Sequence, residues 1–442
     1  MRLKKLLALF MTMAILVCLC ACGFDEDDDS SLDDSPAVKG GTIRIGVFEP
    51  LSGEDASGGQ RELLGIRFAN EKFPSVKVGK KTYELQLVEM DNESSVETAY
   101  EMAEDLIGQD VSVVIGSYGS SMSMSIRDLF LESKIPLIGC SDSNTFITRE
   151  NEYCFRVGLV DSLQGTAVAN FLKEKKLFSA AVLRENNDDY ALGLTDYFRE
   201  AYTNLVGGTV VYDGFFEPGT TDFTPQLQEI AAAAPDAIFI PSSSAYAAAL
   251  ITQIRQMGIS SQIISGDTWE NVQTIRTAGA DLCEGVVISS FFRNDDRAAS
   301  GFVRSFRRYL SASAENLAMN GGTEDVSAFS ALGYDAYLSV VGAISSIDGK
   351  VTGQTIREAL NELNMSGVTG QLAFDENGDD LKNTITFKQV KDGQFRYIGT
   401  MSSNGTYTPL EKKKAKKSKS RYDIVAAGCR VVFRCILLVV MG

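Results

Sequence analysis

The fold class that this sequence predicts is α/β, with two doubly wound parallel-sheet lobes. From residue 42 onward, short β-branched and apolar runs alternate with longer amphipathic stretches. The short runs hold four to eight residues and the longer ones ten to fifteen, an alternation typical of parallel strands joined by right-handed helical crossovers. The alternation occurs in two separate series, so we expect two sheets that are each covered by helices.

The first series predicts four strands and three helices. The predicted strands are TIRIGVF (42–48), YELQLVEM (83–90), VSVVIG (111–116) and IPLIG (135–139), and the predicted helices span 60–72, 96–107 and 122–131. The helix 96–107 is predicted because Ala99, Met102, Ala103 and Leu106 recur at helical spacing.

The second series predicts five strands and four helices. The predicted strands are SAAVL (179–183), GTVVYDG (208–214), DAIFIP (236–241), QIIS (262–265) and GVVISS (285–290), and the predicted helices span 192–204, 224–233, 245–257 and 270–279. After this second series, helical patterns follow at residues 298–310 and 326–347, with no strand between them. Residues 372–390 then predict a β-hairpin around Asn377-Gly378, a favoured turn dipeptide; "DENGD" lacks the spacing and the terminal Glu of a calcium loop.

The N-terminal end of the chain predicts a targeting signal and a tether that lie outside the folded part. Residues 1–21 predict a signal peptide, because basic residues precede a twelve-residue apolar run that is too short to span a bilayer. "LCACG" (19–23) resembles a bacterial lipobox, which makes Cys22 the predicted lipidation site, with an ordinary signal peptide cut nearby as the alternative. Residues 22–40 predict an acidic, solvated tether.

The last residues, 411–442, form a basic and apolar tail of unknown role. Its apolar part carries Arg430 and Arg434, and each arginine near a bilayer centre costs about 2.5–3.5 kcal/mol on the insertion scale. The Lys run would also lie outside the cell, against the positive-inside preference. A surface-associated or disordered tail, or an accident of the reading frame, is therefore favoured over a membrane span.

Composition excludes several classes of function. The formal net charge is −16, which disfavours a nucleic-acid partner. The chain has no histidine, which removes the usual general base, the commonest metal ligand and every Ser-His-Asp or Cys-His arrangement. Of eight cysteines, only Cys140, Cys154 and Cys283 fall in the core, without CxxC spacing, so buried thiols are favoured, with a Cys140–Cys154 bridge as the alternative. We predict no cofactor and no metal site.

Five loops at strand ends carry the polar residues of a candidate site. They are "IGSYGSSMSMS" (115–125), "PLIGCSDSNT" (136–145), "RENNDDYALG" (184–193), "IPSSSAY" (240–246) and "SGDTWEN" (265–271). Open α/β proteins bind ligands beyond the carboxyl ends of their strands, and a helix start can hold an anion without a basic residue. Each loop alone is also explained by helix capping and polar turns. Together they predict a small-molecule site.

These loops, with "IGVFEPLSG" (45–53), "LVEMDNESS" (87–95), "FRVGLVDSLQG" (155–165) and "DFTPQLQEI" (222–230), carry a family resemblance. Over about residues 41–405 the chain resembles the branched-chain amino-acid (Leu/Ile/Val) binding proteins of ABC importers, with the type I periplasmic-binding-protein fold. The resemblance implies two lobes joined by three crossovers. Lobe 1 would comprise 41–160 with 290–385, and lobe 2 would comprise 161–289 with 386–410.

The resemblance also implies residue roles. Ser120 would contact the ligand carboxylate, and Ser141, Asp142 and Ser143 would lie in a loop that contacts carboxylate and ammonium. Tyr190 would stand in the wall of the second lobe, and Ser243 at a position that is often aromatic. Asp267 would pair with the ligand ammonium, while the lone Trp269 covers the pocket or, as we favour, packs beneath it. For Asp267 itself, a helix cap is the alternative.

Two departures from the family pattern, together with a polar Ser243, bear on the ligand. Gly58 stands where an aromatic residue often covers the ligand, Asp142 stands where a small residue is usual, and Ser243 adds polarity. A wider and more polar pocket follows, including room for a cationic or amide-bearing ligand.

The expected function is a monomeric, lipid-anchored, extracytoplasmic solute-binding protein that delivers an amino acid or similar ligand to ABC permease subunits, and not an enzyme. The alternatives are a chemosensory receptor component, a surface hydrolase using Ser120, and a structural adhesin.

Overall fold

The computed structural model describes residue 38 and residues 40–410. The predicted signal peptide, Cys22 with nearly all of its tether, and the tail 411–442 lie outside the described residues. Within the described part, no helix combines the length and the apolar character needed to cross a bilayer.

The first sheet has six strands in the order β2-β3-β1-β4-β5-β6. They are β1 (Thr42–Glu49), β2 (Ser75–Val78), β3 (Lys81–Asp91), β4 (Val113–Gly116), β5 (Leu137–Gly139) and β6 (Cys154–Arg156). All neighbours pair in parallel except β2 with β3. The central strands β4 and β5 are buried throughout, because helices cover both faces of a parallel sheet.

Seven helices accompany this sheet among the described residues. They are α1 (Ala56–Lys72), α2 (Val96–Gly108) and α3 (Ser120–Glu132), with, from later in the chain, α10 (Ser300–Ala312), α11 (Ala314–Met319), α12 (Ala328–Ser346) and α13 (Gly353–Asn361). In α10, Phe302, Phe306 and Leu310 recur at helical spacing and are buried. The long α12 is apolar nearly all round because it packs along α1 on the sheet.

The second sheet has eight strands in the order β16-β15-β14-β11-β10-β9-β7-β8. They are β7 (Ser179–Glu185), β8 (Thr209–Phe216), β9 (Ala237–Phe239), β10 (Gln262–Ser265), β11 (Val287–Ser290), β14 (Thr384–Lys391), β15 (Gln394–Ser402) and β16 (Tyr407–Pro409). The strands β7 to β11 pair in parallel, and β14 to β16 extend the sheet in antiparallel fashion. Two short strands, β12 (Met365–Ser366) and β13 (Gln371–Leu372), pair only with each other.

Six α-helices accompany the second sheet among the described residues. They are α4 (Asp161–Glu174), α5 (Asp189–Glu200), α6 (Thr224–Ala233), α7 (Ser244–Gln256), α8 (Val272–Ala278) and α9 (Ala280–Cys283). Asp188 caps α5, Ser243 caps α7 and Asn271 caps α8, each by accepting hydrogen bonds from backbone amides of the first turn. The caps fix where these helices start, and therefore which side chains face the first sheet.

The chain crosses between the two sheets three times, which confirms the predicted architecture. After β6 it enters α4, after β11 it returns to the helices α10 to α13, and after β13 it enters β14. We call the first sheet with its helices the first lobe, and the second sheet with its helices the second lobe.

The predicted hairpin over 372–390 is wrong. Only a tight turn forms there, with one antiparallel bridge between Phe374 and Asp380, while Leu372 pairs with Met365. The carboxylate of Asp375 closes the turn by accepting hydrogen bonds from the Asn377 and Asp379 amides, at 2.8 and 3.0 Å. The strand β14 pairs instead with β15, around the turn Asp392-Gly393.

Other sequence-based boundaries also shift. The helix predicted over 192–204 begins earlier, at Asp189, because Asp188 caps it, and it ends in a π-helical turn at Ala201–Leu205. The strand β2 was not predicted. Cys140, Cys154 and Cys283 are buried free thiols, so the Cys140–Cys154 bridge does not form.

Candidate ligand-binding cleft

The candidate site lies between the lobes, where strand-end loops from both sheets meet. In the first sheet the chain moves from β1 to β3 on one side and then to β4 on the other, and in the second sheet β7, β8 and β9 do the same. Such switch points leave a crevice at the carboxyl ends of the strands. A cavity of about 240 Å³ occupies it, lined by loops that follow β1, β4, β5, β7, β9 and β10.

Ser120 forms the first turn of α3 in the first-lobe wall. It is 1% exposed, and its hydroxyl oxygen accepts hydrogen bonds from the amides of Ser143 (3.3 Å) and Asn144 (3.2 Å). Because both of these bonds use the oxygen as acceptor, the Ser120 hydroxyl can still donate a hydrogen bond into the cavity. The helix start behind it adds unpaired amide groups and the positive end of the helix dipole. An anionic group of a ligand fits here.

The loop after β5 places its three predicted residues differently. Ser141 and Asp142 line the cavity, whereas Ser143 does not and donates its hydroxyl to Asp161 at 2.7 Å. The Ser141 hydroxyl donates to Glu62 behind the wall. Both carboxylate oxygens of Asp142 lack a hydrogen-bond partner of ordinary geometry, and burial raises the pKa of Asp142 to about 7.

Asp267 lies in the second-lobe wall and does not cap a helix. It is 1% exposed and forms the start of a 3-10 turn, Asp267–Trp269, while Asn271 caps the helix that follows. The Tyr190 hydroxyl donates to its carboxylate at 3.0 Å. Burial raises the pKa of Asp267 to about 6, and the Tyr190 hydrogen bond opposes that rise.

Trp269 packs beneath the site, as we favoured. It is 1% exposed within the core of the second lobe, and its indole N–H donates to the Ser242 hydroxyl at 3.1 Å. The lone indole therefore fixes the floor under Asp267 and does not cover the ligand.

Ser243 links acids from both lobes. Its hydroxyl donates to Asp55 at 2.7 Å, and its amide donates to Glu185 at 2.8 Å. Asp55 stands at the start of α1 but caps nothing; its carboxylate reaches across to the second lobe. Asp188, which caps α5, lines the same part of the cavity and accepts a hydrogen bond from Ser121 of the first lobe at 3.4 Å.

Six predicted residues thus line one cavity: Ser120, Ser141, Asp142, Tyr190, Ser243 and Asp267. The acids Glu54, Asp55, Glu185 and Asp188 also line it and were missed, although the quoted loop "RENNDDYALG" contains two of them. Tyr118 was missed as well. Its ring fills the space beside Gly58 so completely that a Cβ on Gly58 would overlap it, so an aromatic residue does cover this position, supplied by another loop.

Behind Ser141, Glu49, Glu62 and Cys140 come nearest to a set of metal ligands among the described residues. One oxygen of each acid and the Cys140 sulfur lie within 4.8 Å of one another, fully buried. Burial and the neighbouring Glu62 raise the pKa of Glu49 well above its usual value, and burial raises that of Glu62 to about 8. Burial, followed by the charge of Glu62, likewise raises the pKa of Cys140 well above its usual value.

A larger interlobe cavity, of about 680 Å³, lies beside the buried ion pair of Lys388 and Glu270. We assign the ligand to the smaller cavity, because the strand-end loops of both switch points meet there.

A two-lobed fold with a buried polar cavity between the lobes defines a ligand-binding protein of the periplasmic type. Residues 42–394 match the family described as periplasmic binding protein, and the chain belongs to this family. Its members are extracytoplasmic binding proteins and not enzymes. The hydrolase alternative built on Ser120 is therefore set aside.

The chain is similar to several known proteins. It is 23% identical, over 80% of its length and 93% of the relative's, to a Leu/Ile/Val-binding protein homolog of Brucella abortus. The crystal structure of a leucine binding protein, LivK, from Thermotoga maritima has 28% identity and a TM-score of 0.75, covering 83% of this chain and 100% of that one. A solute binding protein from R. palustris in complex with benzoate has 19% identity and a TM-score of 0.72, over 84% and 98%, which shows the fold alone.

Proposed function

We propose that this protein captures an amino acid between its lobes and delivers it to the permease of an ABC importer. The observation that carries the proposal is the opposition of two complementary groups across one cavity: the Ser120 hydroxyl at a helix start on one wall, and the buried Asp267 carboxylate on the other. An α-amino acid presents a carboxylate and an ammonium, which match these two groups.

The cavity disfavours a ligand that carries only a carboxylate. None of the described residues that line it is Lys or Arg, whereas six are Asp or Glu. The similarity to proteins named for leucine, isoleucine and valine supports an amino acid as the ligand.

Binding and closure are the mechanism that we propose. Hydrogen bonds already join the lobes through Ser243 to Asp55 and through Ser121 to Asp188. A ligand that contacts both walls binds the closed state more tightly than the open state. Binding therefore shifts the population toward the closed state. A permease can then recognise the closed form.

A thermal-shift screen of the mature protein against the twenty amino acids tests the proposal, since a ligand that binds only the folded state raises stability by mass action. At least one amino acid should raise the unfolding midpoint in a saturable way. Deleting the gene should also abolish high-affinity uptake of that amino acid. Loss of chemotaxis with intact uptake would instead support the chemosensory alternative.

We further propose that Cys22 carries a lipid that anchors a monomeric protein to the outer face of the cell membrane. Cys22→Ala should move the protein from the membrane fraction to the soluble fraction. Quantitative retention in the membrane fraction would mean that another segment holds it there.

A further inference from the structure

The acids of the cleft are more numerous than an α-amino acid requires. One carboxylate is enough for one ammonium, yet six line the cavity and no described Lys or Arg lines it with them. Asp142, Glu185 and Asp267 are buried and Asp55 and Asp188 are half-buried, so water does not screen their charges fully. Among the described residues, no positive charge in the cavity lining balances this excess negative charge.

The acids gather around two centres. The first is Asp267 with the Tyr190 hydroxyl. The second, which we call the Ser243 acid cluster, consists of Asp55, Glu185 and Asp188. Asp55 and Glu185 are both hydrogen-bonded to Ser243, at 2.7 and 2.8 Å.

The Ser243 acid cluster has unused acceptors directed at the cavity. Glu185 is 5% exposed, and only its Oε2 atom accepts a hydrogen bond within the described structure, from the Ser243 amide. Asp55 likewise uses only Oδ1, in its bond from Ser243. These free oxygens belong to side chains that line the cavity, and so are placed to receive donors from a ligand.

No described cation neutralises the cluster. Arg184 precedes Glu185 in sequence, but it bonds to the Glu185 carbonyl oxygen and to Asn186 and stacks on Phe215. The leading charge effects on Glu185 come from Asp188, Glu54 and Asp55, which all carry the same sign. Burial, followed by this repulsion, raises the pKa of Glu185 to about 8, and burial and Asp55 raise that of Asp188 to about 7.

Closure of the cleft brings these acids together, since Asp55 belongs to the first lobe and Glu185 and Asp188 to the second. Without a cation between them, closure increases like-charge repulsion in a poorly solvated space. A cationic ligand group converts that repulsion into attraction from both lobes. The cluster therefore favours a ligand that carries a second positive charge over one whose side chain is neutral.

We propose that the ligand is a basic amino acid, with its α-ammonium at Asp267 and a second cationic group held by Asp55, Glu185 and Asp188. The inference rests on the proposed amino-acid function and specifies its substrate class.

Calorimetry on the mature protein with matched probes tests this. L-lysine and L-norleucine differ mainly in the terminal ammonium, and L-arginine and L-citrulline differ in the charge of the terminal group. We expect at least one of the basic amino acids to bind at least a hundredfold more tightly than its neutral counterpart. Glu185→Gln keeps the acceptor for the Ser243 amide and removes the charge, so it should reduce that preference tenfold or more. Glu200→Gln, an exposed acid on α5, is the control and should change nothing.

The outcomes separate the two proposals. If L-norleucine or L-leucine binds as tightly as L-lysine and L-arginine, the second cationic site is wrong and amino-acid capture stands. If putrescine or cadaverine binds and no amino acid does, amino-acid capture is wrong and so is the basic amino acid, while the acids still select two positive charges. Binding of none of these probes overturns the basic amino acid, and amino-acid capture falls with it only if none of the twenty amino acids binds. An unchanged preference in Glu185→Gln overturns the second cationic site alone.

Discussion

At the scale of single residues, the site depends on where two carboxylates point. Asp267 and Asp55 both stand at the start of a helical turn, a position where an acid often caps the helix. Neither does so here. Asp267 accepts a hydrogen bond from Tyr190 beside the cavity, and Asp55 accepts one from Ser243 across the cleft, so neither carboxylate is used to cap its own helix.

Asp267→Asn should weaken amino-acid binding by roughly thirtyfold or more. Removing one partner of a desolvated charge pair costs about 2–5 kcal/mol, and about 1.4 kcal/mol corresponds to a tenfold change in affinity. The unfolding midpoint of the ligand-free protein should change little, because asparagine has nearly the same shape. Calorimetry with the amino acid found in the screen measures this.

Ser120→Ala is the companion variant and should lose less affinity, since amides at the start of α3 can still hold a carboxylate. If Asp267→Asn and the parent bind with equal affinity, Asp267 does not bind the ligand ammonium.

At the scale of elements, two glycines decide how closely α1 and α12 pack. A Cβ on Gly65 of α1 would overlap the carbonyl oxygen of Ser330, and a Cβ on Gly333 of α12 would overlap that of Glu62. The two helices therefore approach backbone to backbone. This contact places Glu62 behind Ser141 and so supports the first-lobe wall.

Gly65→Ala should destabilise the protein although alanine is the better helix former. The helix gains about 1 kcal/mol in propensity, but inserting a methyl group into a packed contact costs about 1–3 kcal/mol, and here the neighbour is backbone that cannot rotate away. We expect a net loss of about 1 kcal/mol or more in the free energy of unfolding, measured in urea.

Gly301→Ala on α10 is the matched control. A Cβ there meets no atom within 4 Å and the residue is exposed, so only the propensity gain remains. This variant should be as stable as the parent or more stable. If both variants shift stability in the same direction, close helix packing does not explain Gly65.

At the scale of the whole molecule, acidic side chains of both lobes line the candidate cavity between them. Burial raises the pKa of Glu185 and Asp161 to about 8, of Asp142 and Asp188 to about 7, and of Asp55 and Asp267 to about 6. In the unfolded chain these carboxyls titrate near pH 4. The folded state therefore holds more protons than the unfolded state between about pH 4 and pH 8.

The stability of the ligand-free protein should consequently fall as pH rises through this window. Excess protons on the folded state give the free energy of unfolding a negative slope against pH, up to about 1.4 kcal/mol per pH unit for each carboxyl involved. Calorimetric unfolding at pH 5.5 and pH 8 should show the higher midpoint at pH 5.5, and the double variant Glu185→Gln with Asp188→Asn should flatten the difference. A midpoint that rises toward pH 8 would contradict the raised pKa values.

The sequence by itself determined the architecture and several positions in both walls of the cavity. The apolar runs and helical patterns are local, so they predict the two sheets and mark Ser120, Asp142, Tyr190 and Asp267 as strand-end residues. They also led to the wrong hairpin at Asn377-Gly378, because a turn dipeptide does not say which strand its neighbours pair with.

Only the tertiary structure decided which polar residues face one another. Ser143 turns to Asp161, Trp269 packs under the site, and Tyr118 fills the space beside Gly58. Asp55 and Glu185 lie far apart in the sequence and in different lobes, yet both bind Ser243. Hydrogen bonding and desolvation depend on distance in space, which a linear pattern does not contain, so the acidity of the cleft became visible only when the chain was folded.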